Sequence, residues 1–396
     1  MPQAEFVVAL SHDNYLKVVG GVQLCVGNEQ RIFNENKVGY IHFFPTNHRP
    51  TLARPEEPFY VSISCNGQFV AEFQAESALE LLDLLAQAPA KKTLSRVILH
   101  QLMGFNIDWV HRLVKESGRG KALFWVHDYF SLCPSYALMR NDIVFCNAPP
   151  VSSNSCLICI YGEERAKHLQ AFHRLFNDLD LMVVACSQLA EQVWKEKAGF
   201  HVAGSLMMPH CYVQRENTKR TSNNILPPSP LKIAFVGLTT YYKGGETWEY
   251  IVRRFGSDTR YKFFHFAVQR DRSLPQTFIF ANVTSENRHA MVDALKTHHI
   301  DVVFLWSVCS ETFSFRLHEA MAAGCYVVTH PDSGNIQATV LRTNCGAVLT
   351  DEQEMAAWLD SDRLTGAVRE FQDKKARFGS LVFSPGSYKI VFETEE

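Results

Sequence analysis

Glu311 and Glu319 stand with seven residues between them in the stretch Ser310–Gly324, SETFSFRLHEAMAAG. The stretch reads as a loop running into a helix, which sets Glu319 about two turns beyond Glu311 on a period of ~3.6 residues. Thr312, Phe313 and Ser314 lie between them. Their backbone N–H groups would sit at a helix N-terminus, where unpaired amides and the helix dipole favour an anion. Ionised carboxylates accept hydrogen bonds from hydroxyls. The combination suits a ligand that carries both a diphosphate and a sugar. The same residues also fit an ordinary amphipathic helix, with Phe315, Ala320 and Ala323 in a core and Glu319 on the wet face.

Other residue groups carry chemistry of the same kind. Gly20 and Gly21 follow the first apolar run in VVGGVQL. Paired glycines let backbone approach a ligand closely, and a plain tight turn is the alternative. Their spacing is not GxGxxG, which argues against a nicotinamide dinucleotide fingerprint. In IAFVGLTTYYKGG, Gly237 ends a strand and Lys243 precedes Gly244 and Gly245. His100 and His127 end apolar runs, RVILH and ALFWVH. In doubly wound sheets the strand C-termini open into the ligand crevice, although a lone histidine is also a common structural hydrogen-bonding residue. Cys133, Cys146 and the CLIC pair Cys156 and Cys159 fall within 27 residues. They read either as a four-thiolate site for a structural zinc or as buried packing thiols. The segment EERAKHLQAFHRLF, 163–176, is basic and amphipathic. It suits either a core-facing helix with a solvated basic face or a helix lying on an anionic membrane.

These residues need a scaffold, and the chain supplies two. At 396 residues, two domains are expected. Near-continuous apolar strands are predicted at 5–10, 96–99, 122–126, 181–185, 232–236, 262–267, 301–305 and 326–329, with helical patterns between many of them, such as 77–87 and 108–116. Buried strands alternating with helices imply parallel sheets covered on both faces. The polar and then Pro-rich QRENTKRTSNNILPPSP, 214–230, reads as a linker. The expected division is 1–215, a linker at 216–230, and 231–396. The predicted fold class is α/β, with two Rossmann-like parallel-sheet domains facing across a cleft that holds the site. Lys plus Arg total 39 against 41 Asp plus Glu, for a net charge of -2. That balance gives no electrostatic footprint for nucleic acid. No apolar run reaches the ~18 residues of a membrane span, and MPQAEF lacks the features of a secretory signal. Eleven scattered cysteines suit reduced thiols better than a disulfide framework. The expected location is therefore cytoplasmic.

With these residues in hand, the chain resembles the retaining family 4 glycosyltransferases of GT-B fold. The pattern of Glu311, seven residues, Glu319, then small residues and Gly324 is similar to that family's signature, and CYVVTHPDSGN continues it. The resemblance implies that Glu319 holds the ribose hydroxyls of a nucleotide-sugar donor. It implies that Glu311 contacts the transferred sugar and that the amides of 312–314 meet the diphosphate. Gly20, Gly21 and Gly237 would line the donor, Lys243 would neutralise the departing diphosphate, and His127 would contact and orient the transferred sugar. His127, Lys243 and Glu311 are thus the expected catalytic residues. The family usually carries Gly-Arg after the strand that Gly237 ends. Leu238 stands there instead, and Arg270 or Arg316 would have to supply the missing charge. The expected acceptor is a glycan or lipid-linked glycan, as in surface polysaccharide or lipopolysaccharide assembly, with contact at the inner face of the membrane. No cofactor is expected for catalysis. Three alternatives are a sugar-nucleotide epimerase of the same fold, a weakly active module of a larger polysaccharide synthase, and a glycan-binding protein that takes no nucleotide.

Overall fold

Runs such as FVVAL and KIAFV offer no polar face to water, so they are stable only when both sides of their sheet are covered. The computed structural model describes residues 3–87, 92–215, 230–270, 273–374 and 379–393, and in it these runs become central strands. The chain divides into two compact units, 1–210 with 384–396, and 211–383. Most of the stretch read as a linker, 216–229, lies outside the described residues.

The first unit is built on strands β1 (Glu5–Leu10), β2 (Gly39–Pro45), β3 (Tyr60–Cys65), β4 (Gln68–Gln74), β5 (Thr93–Leu99) and β6 (Lys121–Val126). A small antiparallel pair, β7 (Met139–Arg140) and β8 (Val144–Phe145), precedes β9 (Asp180–Ala185) and β10 (Gly204–Met207). The main sheet runs β10-β9-β6-β5-β1-β2-β3-β4. It is parallel from β10 to β2. Strands β3 and β4 are antiparallel additions at one edge. The cause is local: Asn66 and Gly67, both at positive φ, form the two-residue turn that joins β3 to β4. The strand order reverses between β1 and β5. The last residues of the chain return to this unit, where Tyr388 and Phe392 pack on Phe33 and Trp125 Nε1 donates to Ser387 Oγ at 2.9 Å.

The second unit contains β11 (Cys211–Arg215), β12 (Leu231–Val236), β13 (Tyr261–Ala267), β14 (Thr277–Phe280), β15 (Val302–Leu305), β16 (Tyr326–Thr329), β17 (Gly346–Val348) and β18 (Gly379–Phe383). Six of these form one fully parallel sheet in the order β14-β13-β12-β15-β16-β17, and β11 pairs with β18 apart from it. Renumbered within this sheet, that order is 3-2-1-4-5-6, the dinucleotide-binding Rossmann arrangement. Its reversal lies between β12 and β15. Both faces are covered, one by a cluster around Leu317, Ala320 and Val327, the other by a cluster around Trp248, Phe304 and Trp306.

Candidate functional site

Two loops leave the reversal point of the second sheet, one from β12 and one from β15. The first carries Gly237 and, six residues on, Lys243 at the end of a short 3-10 turn. The second carries Glu311 and enters the helix Phe315–Ala322. Ser307 Oγ donates to Tyr242 O at 3.0 Å, and Val308 N–H donates to the same oxygen, so the loops are tied together. Gly244 makes this approach feasible: its φ is +84°, and a Cβ there would lie 2.3 Å from Trp306 O.

Lys243 Nζ lies 2.5 Å from Glu311 Oε1, and Arg316 Nη2 lies 3.6 Å from the same oxygen. Arg316 also donates from Nη1 to Val236 O at 2.8 Å and packs against Gly237. The second cation beside Lys243 is therefore Arg316. Arg270 is exposed and lies over the Phe278 ring. Burial alone would raise the Glu311 carboxyl, but Lys243 and Arg316 outweigh it and hold the group below the ordinary carboxylate range. Two cations and one carboxylate thus face each other at a strand-order reversal, a charge pattern suited to a diphosphate.

The loop position of Glu311 is fixed from behind. Asn335 N–H donates to Glu311 O at 2.9 Å, and Glu311 bridges Gly334. Gly334 has φ +63° and ψ -121°, and a Cβ there would meet Ser310 Oγ at 2.5 Å and Glu311 N at 2.7 Å. Gly334→Ala is expected to cost about 1–3 kcal/mol of stability from strain at this conformation. It should also displace Glu311 from Lys243 and so alter any anion binding there. Thermal unfolding and ligand titration of the variant check both effects.

The structure places Thr312 and Phe313 ahead of the helix and makes Ser314 its N-cap, with Ser314 Oγ accepting from Leu317 N–H at 3.3 Å. Glu319 sits on the second turn, only 4% exposed. Its carboxyl makes no hydrogen bond among the described residues, and burial pushes it up to about 7, with Arg316 opposing. A buried acid without a partner is uncommon and calls for an explanation. Binding of a hydroxyl-bearing ligand gives one and predicts a pH dependence. In the free protein the proton is held below pH about 7, so a ligand whose hydroxyls donate to the carboxylate must first displace it. Affinity for a hydroxyl-bearing ligand that does not itself titrate here should rise about tenfold per pH unit below that value and level off above it. Glu319→Gln should flatten the profile. The free protein moves oppositely: its folded-state acid is stronger-binding for protons than the unfolded one, so this group's contribution to stability falls as pH rises from about 4.5 to about 7.

In the first unit, the helix Gly21–Glu35 starts at the paired glycines, with Gly20 extended as its N-cap. A Cβ on Gly21 would meet nothing within 4 Å, whereas one on Gly20 would lie 2.3 Å from Gln23 Oε1, so the Gln23 side chain covers the helix start on that side. His127 follows β6, and His100 follows β5. Their rings stack with centroids 5.2 Å apart, and His100 Nδ1 lies 2.9 Å from His127 Nε2. His127 Nδ1 lies 3.2 Å from His210 Nε2. His100 Nε2 lies 2.9 Å from Glu29 Oε1, which also accepts from Tyr40 Oη. Burial keeps His127 well below the usual histidine range, and His210 and His100 push it the same way. Asp128, the residue after His127, is a structural anchor that accepts from Phe130 N–H and Gln101 Nε2. Sequence reading did not single out Glu29, Cys25 or His210. The available signal was Cys25 and Glu29 four residues apart on the helix that the glycine pair opens.

Cys133, Cys146, Cys156 and Cys159 do line one small cavity together, beside Tyr161 and Arg165. Arg165, from the helix Gly162–Asp178, donates to Cys156 Sγ at 2.8 Å and to the carbonyls of Leu132 and Pro149. Cys146 Sγ donates to Leu138 O, and burial pushes the Cys133 thiol up to about 12. Among the described residues, no three of these sulfurs come within ligating reach of one another. They are arranged as packed thiols around a guanidinium, which does not fit a tetrahedral zinc centre. That same helix buries Phe172, Leu175 and Phe176 in the core. No helix among the described residues is long and apolar enough to cross a membrane.

No protein-family model matches the chain, and no curated protein matches it. Solved structures do. Anabaena HepE in complex with UDP-glucose is 12% identical with a TM-score of 0.54, covering 98% of this chain and 98% of that one. WaaG, a glycosyltransferase involved in lipopolysaccharide biosynthesis, is 13% identical with a TM-score of 0.53, covering 98% and 99%. Sucrose-phosphate synthase from Thermosynechococcus elongatus is 14% identical with a TM-score of 0.53, covering 93% and 94%. The chain has the GT-B fold that these proteins share.

Proposed function

We propose that the chain is a nucleotide-sugar-dependent glycosyltransferase that moves a sugar, with retention of configuration, to a glycan or lipid-linked glycan acceptor. One observation carries the reading. At the strand-order reversal of the second unit, Lys243 and Arg316 flank Glu311, and a buried, unpartnered Glu319 lies one helix turn beyond Arg316. Cations there match a diphosphate, and the two carboxyls match sugar hydroxyls. Solved structures of this fold include one with UDP-glucose and one with UDP and glucose, which favours the same donor class.

In this reading the donor diphosphate draws Lys243 and Arg316 partly away from Glu311, freeing that carboxylate for the transferred sugar. Glu319 releases its proton and accepts from the ribose. As the bond between sugar and diphosphate breaks, negative charge builds on the departing phosphate, and two fixed cations stabilise that charge more than they stabilise the bound donor. No side chain in the second unit is assigned as a general base. The leaving phosphate takes the acceptor proton on the face that the sugar keeps. His127 is assigned to the transferred sugar as an orienting contact, neutral in the free protein.

The test is product analysis with donor alone and with acceptor glycans. Acceptor-dependent release of nucleoside diphosphate and an α-linked product from an α-linked donor support the proposal. A changed sugar nucleotide without acceptor marks an epimerase instead, and a β-linked product removes the retaining assignment.

A further inference from the structure

The mechanism proposed above uses only His127 from the first unit, yet that histidine belongs to a larger constellation. The helix Gly21–Glu35 directs both Cys25 and Glu29 toward the strand ends from which His100 and His127 project. His210, just before β11, completes the group. Ligand atoms of Cys25, His127 and His210 all lie within 4.8 Å of one another. No other set of three His, Cys, Asp or Glu residues among the described residues does so.

We infer that Cys25 Sγ, His127 Nδ1 and His210 Nε2 form a site for a Zn²⁺ ion, with one coordination position left open. Two further features of the geometry lead there. The first is spacing. Two imidazole nitrogens bound to one tetrahedral zinc at ~2.05 Å stand ~3.3 Å apart, and a thiolate at ~2.3 Å stands ~3.6 Å from each nitrogen. The nitrogens of His127 and His210 are 3.2 Å apart, and the sulfur is within the 4.8 Å limit. The second is the support behind His127. Glu29 is a carboxylate that can only accept, so His100 Nε2 carries the proton between them. A metal ion on His127 Nδ1 would require the remaining ring proton on Nε2, where His100 Nδ1, 2.9 Å away, can accept it. That ordering leaves the lone pair of His127 on Nδ1, the nitrogen that faces His210. A carboxylate–histidine chain behind a ligating histidine is the arrangement that fixes its tautomer and orientation in metal sites.

The donor set selects the ion. One thiolate and two imidazoles suit Zn²⁺ and disfavour Mg²⁺ or Ca²⁺, which take oxygen ligands. Binding is written as Zn²⁺ plus the neutral Cys25 thiol giving the zinc thiolate and one proton released to solvent, with both histidines neutral throughout. Three protein ligands leave a fourth position for water or a substrate oxygen. With Nε2 on His100 and Nδ1 on the ion, His127 would meet a sugar only through its ring carbons, and ion binding does not depend on the glycosyl-transfer reading.

The full chain, stripped with a chelator under reducing conditions, is titrated with Co²⁺ and followed by absorption, then back-titrated with Zn²⁺. The expected result is one equivalent of Co²⁺ giving a thiolate-to-cobalt charge-transfer band and tetrahedral ligand-field bands, both abolished by Zn²⁺. Cys25→Ser should remove the charge-transfer band, His210→Ala should weaken binding strongly, and His100→Gln should weaken it about 10- to 100-fold. Cys159→Ser should leave the spectrum unchanged. Absence of a charge-transfer band in the wild type overturns the site. A band that survives Cys25→Ser, or one that Cys159→Ser removes, also overturns it and moves the ion to the four-cysteine cavity. Circular dichroism of Cys25→Ser, a one-atom change, confirms that loss of the band is not loss of fold.

Discussion

Glu319→Ala is expected to lower kcat/KM by roughly 10- to 150-fold, mainly through weaker donor binding, because a charged hydrogen bond to sugar hydroxyls is worth ~1.5–3 kcal/mol. The same position predicts the opposite effect on stability. Glu319 is buried, with its carboxyl raised by burial and without a hydrogen-bond partner among the described residues. Leaving a buried polar group unmatched costs free energy. The near-isosteric Glu319→Gln should therefore unfold at the same temperature as the wild type or higher, while still binding donor poorly. A residue kept for packing would lose stability and spare binding. Steady-state kinetics and thermal unfolding of the two variants separate these cases, and wild-type kinetics in a folded Glu319→Ala protein would contradict the assignment.

Lys243→Ala is expected to lower kcat by on the order of 10²–10³, the range seen when one preorganised group opposite a developing negative charge is removed. Donor affinity should fall less, because the charge on the departing diphosphate is greatest in the transition state. Stability should fall too. Glu311 is 8% exposed on its side chain and would keep Arg316 at 3.6 Å and the Ser307 hydroxyl, but no closer cation. Fully buried pairs lose about 3–5 kcal/mol on such a deletion. Lys243 is 23% exposed, so water replaces part of its role and the loss should be smaller. Turnover and donor affinity measured on the same preparation check this. Unchanged turnover with reduced stability would make Lys243 a structural counter-ion.

Much of this site could be read from the chain because its key spacing is local. Glu311 and Glu319 belong to one loop-helix segment, and β1, β12 and β16 fall within a residue of the apolar runs that predict them. Arg316 was harder to place, although it lies inside the same segment. Its meeting with Lys243 at Glu311 depends on β12 and β15 lying side by side, a contact set by sheet order that no local pattern encodes. Ser314 caps the helix, and Thr312 and Phe313 lie just ahead of it. The antiparallel strands β3 and β4 were missed although Asn66-Gly67, a hairpin turn signal, stands between YVSISC and QFVAEFQ. The return of Ser387–Phe392 to the first unit had no sequence signal, since its partners Phe33 and Trp125 are hundreds of residues away. The cysteines show the limit of spacing arguments. CLIC brought four thiols around one cavity, but a buried arginine sits among them. Meanwhile isolated Cys25 and His210 converge on His127 without any motif.

The central claim is that the second unit binds a nucleotide-sugar through Lys243, Arg316, Glu311 and Glu319. Calorimetric titration of the full chain with UDP-, GDP-, dTDP- and CMP-sugars at a pH above the Glu319 transition tests it most directly. The account predicts one-to-one binding of at least one of the three diphosphate-linked donors, weakened at least tenfold in Glu319→Gln by loss of the charged hydrogen bond, with weaker binding of the CMP-sugar, which carries a single phosphate. Absence of binding by all four classes to the folded wild type, or equal binding by wild type and Glu319→Gln, would contradict it.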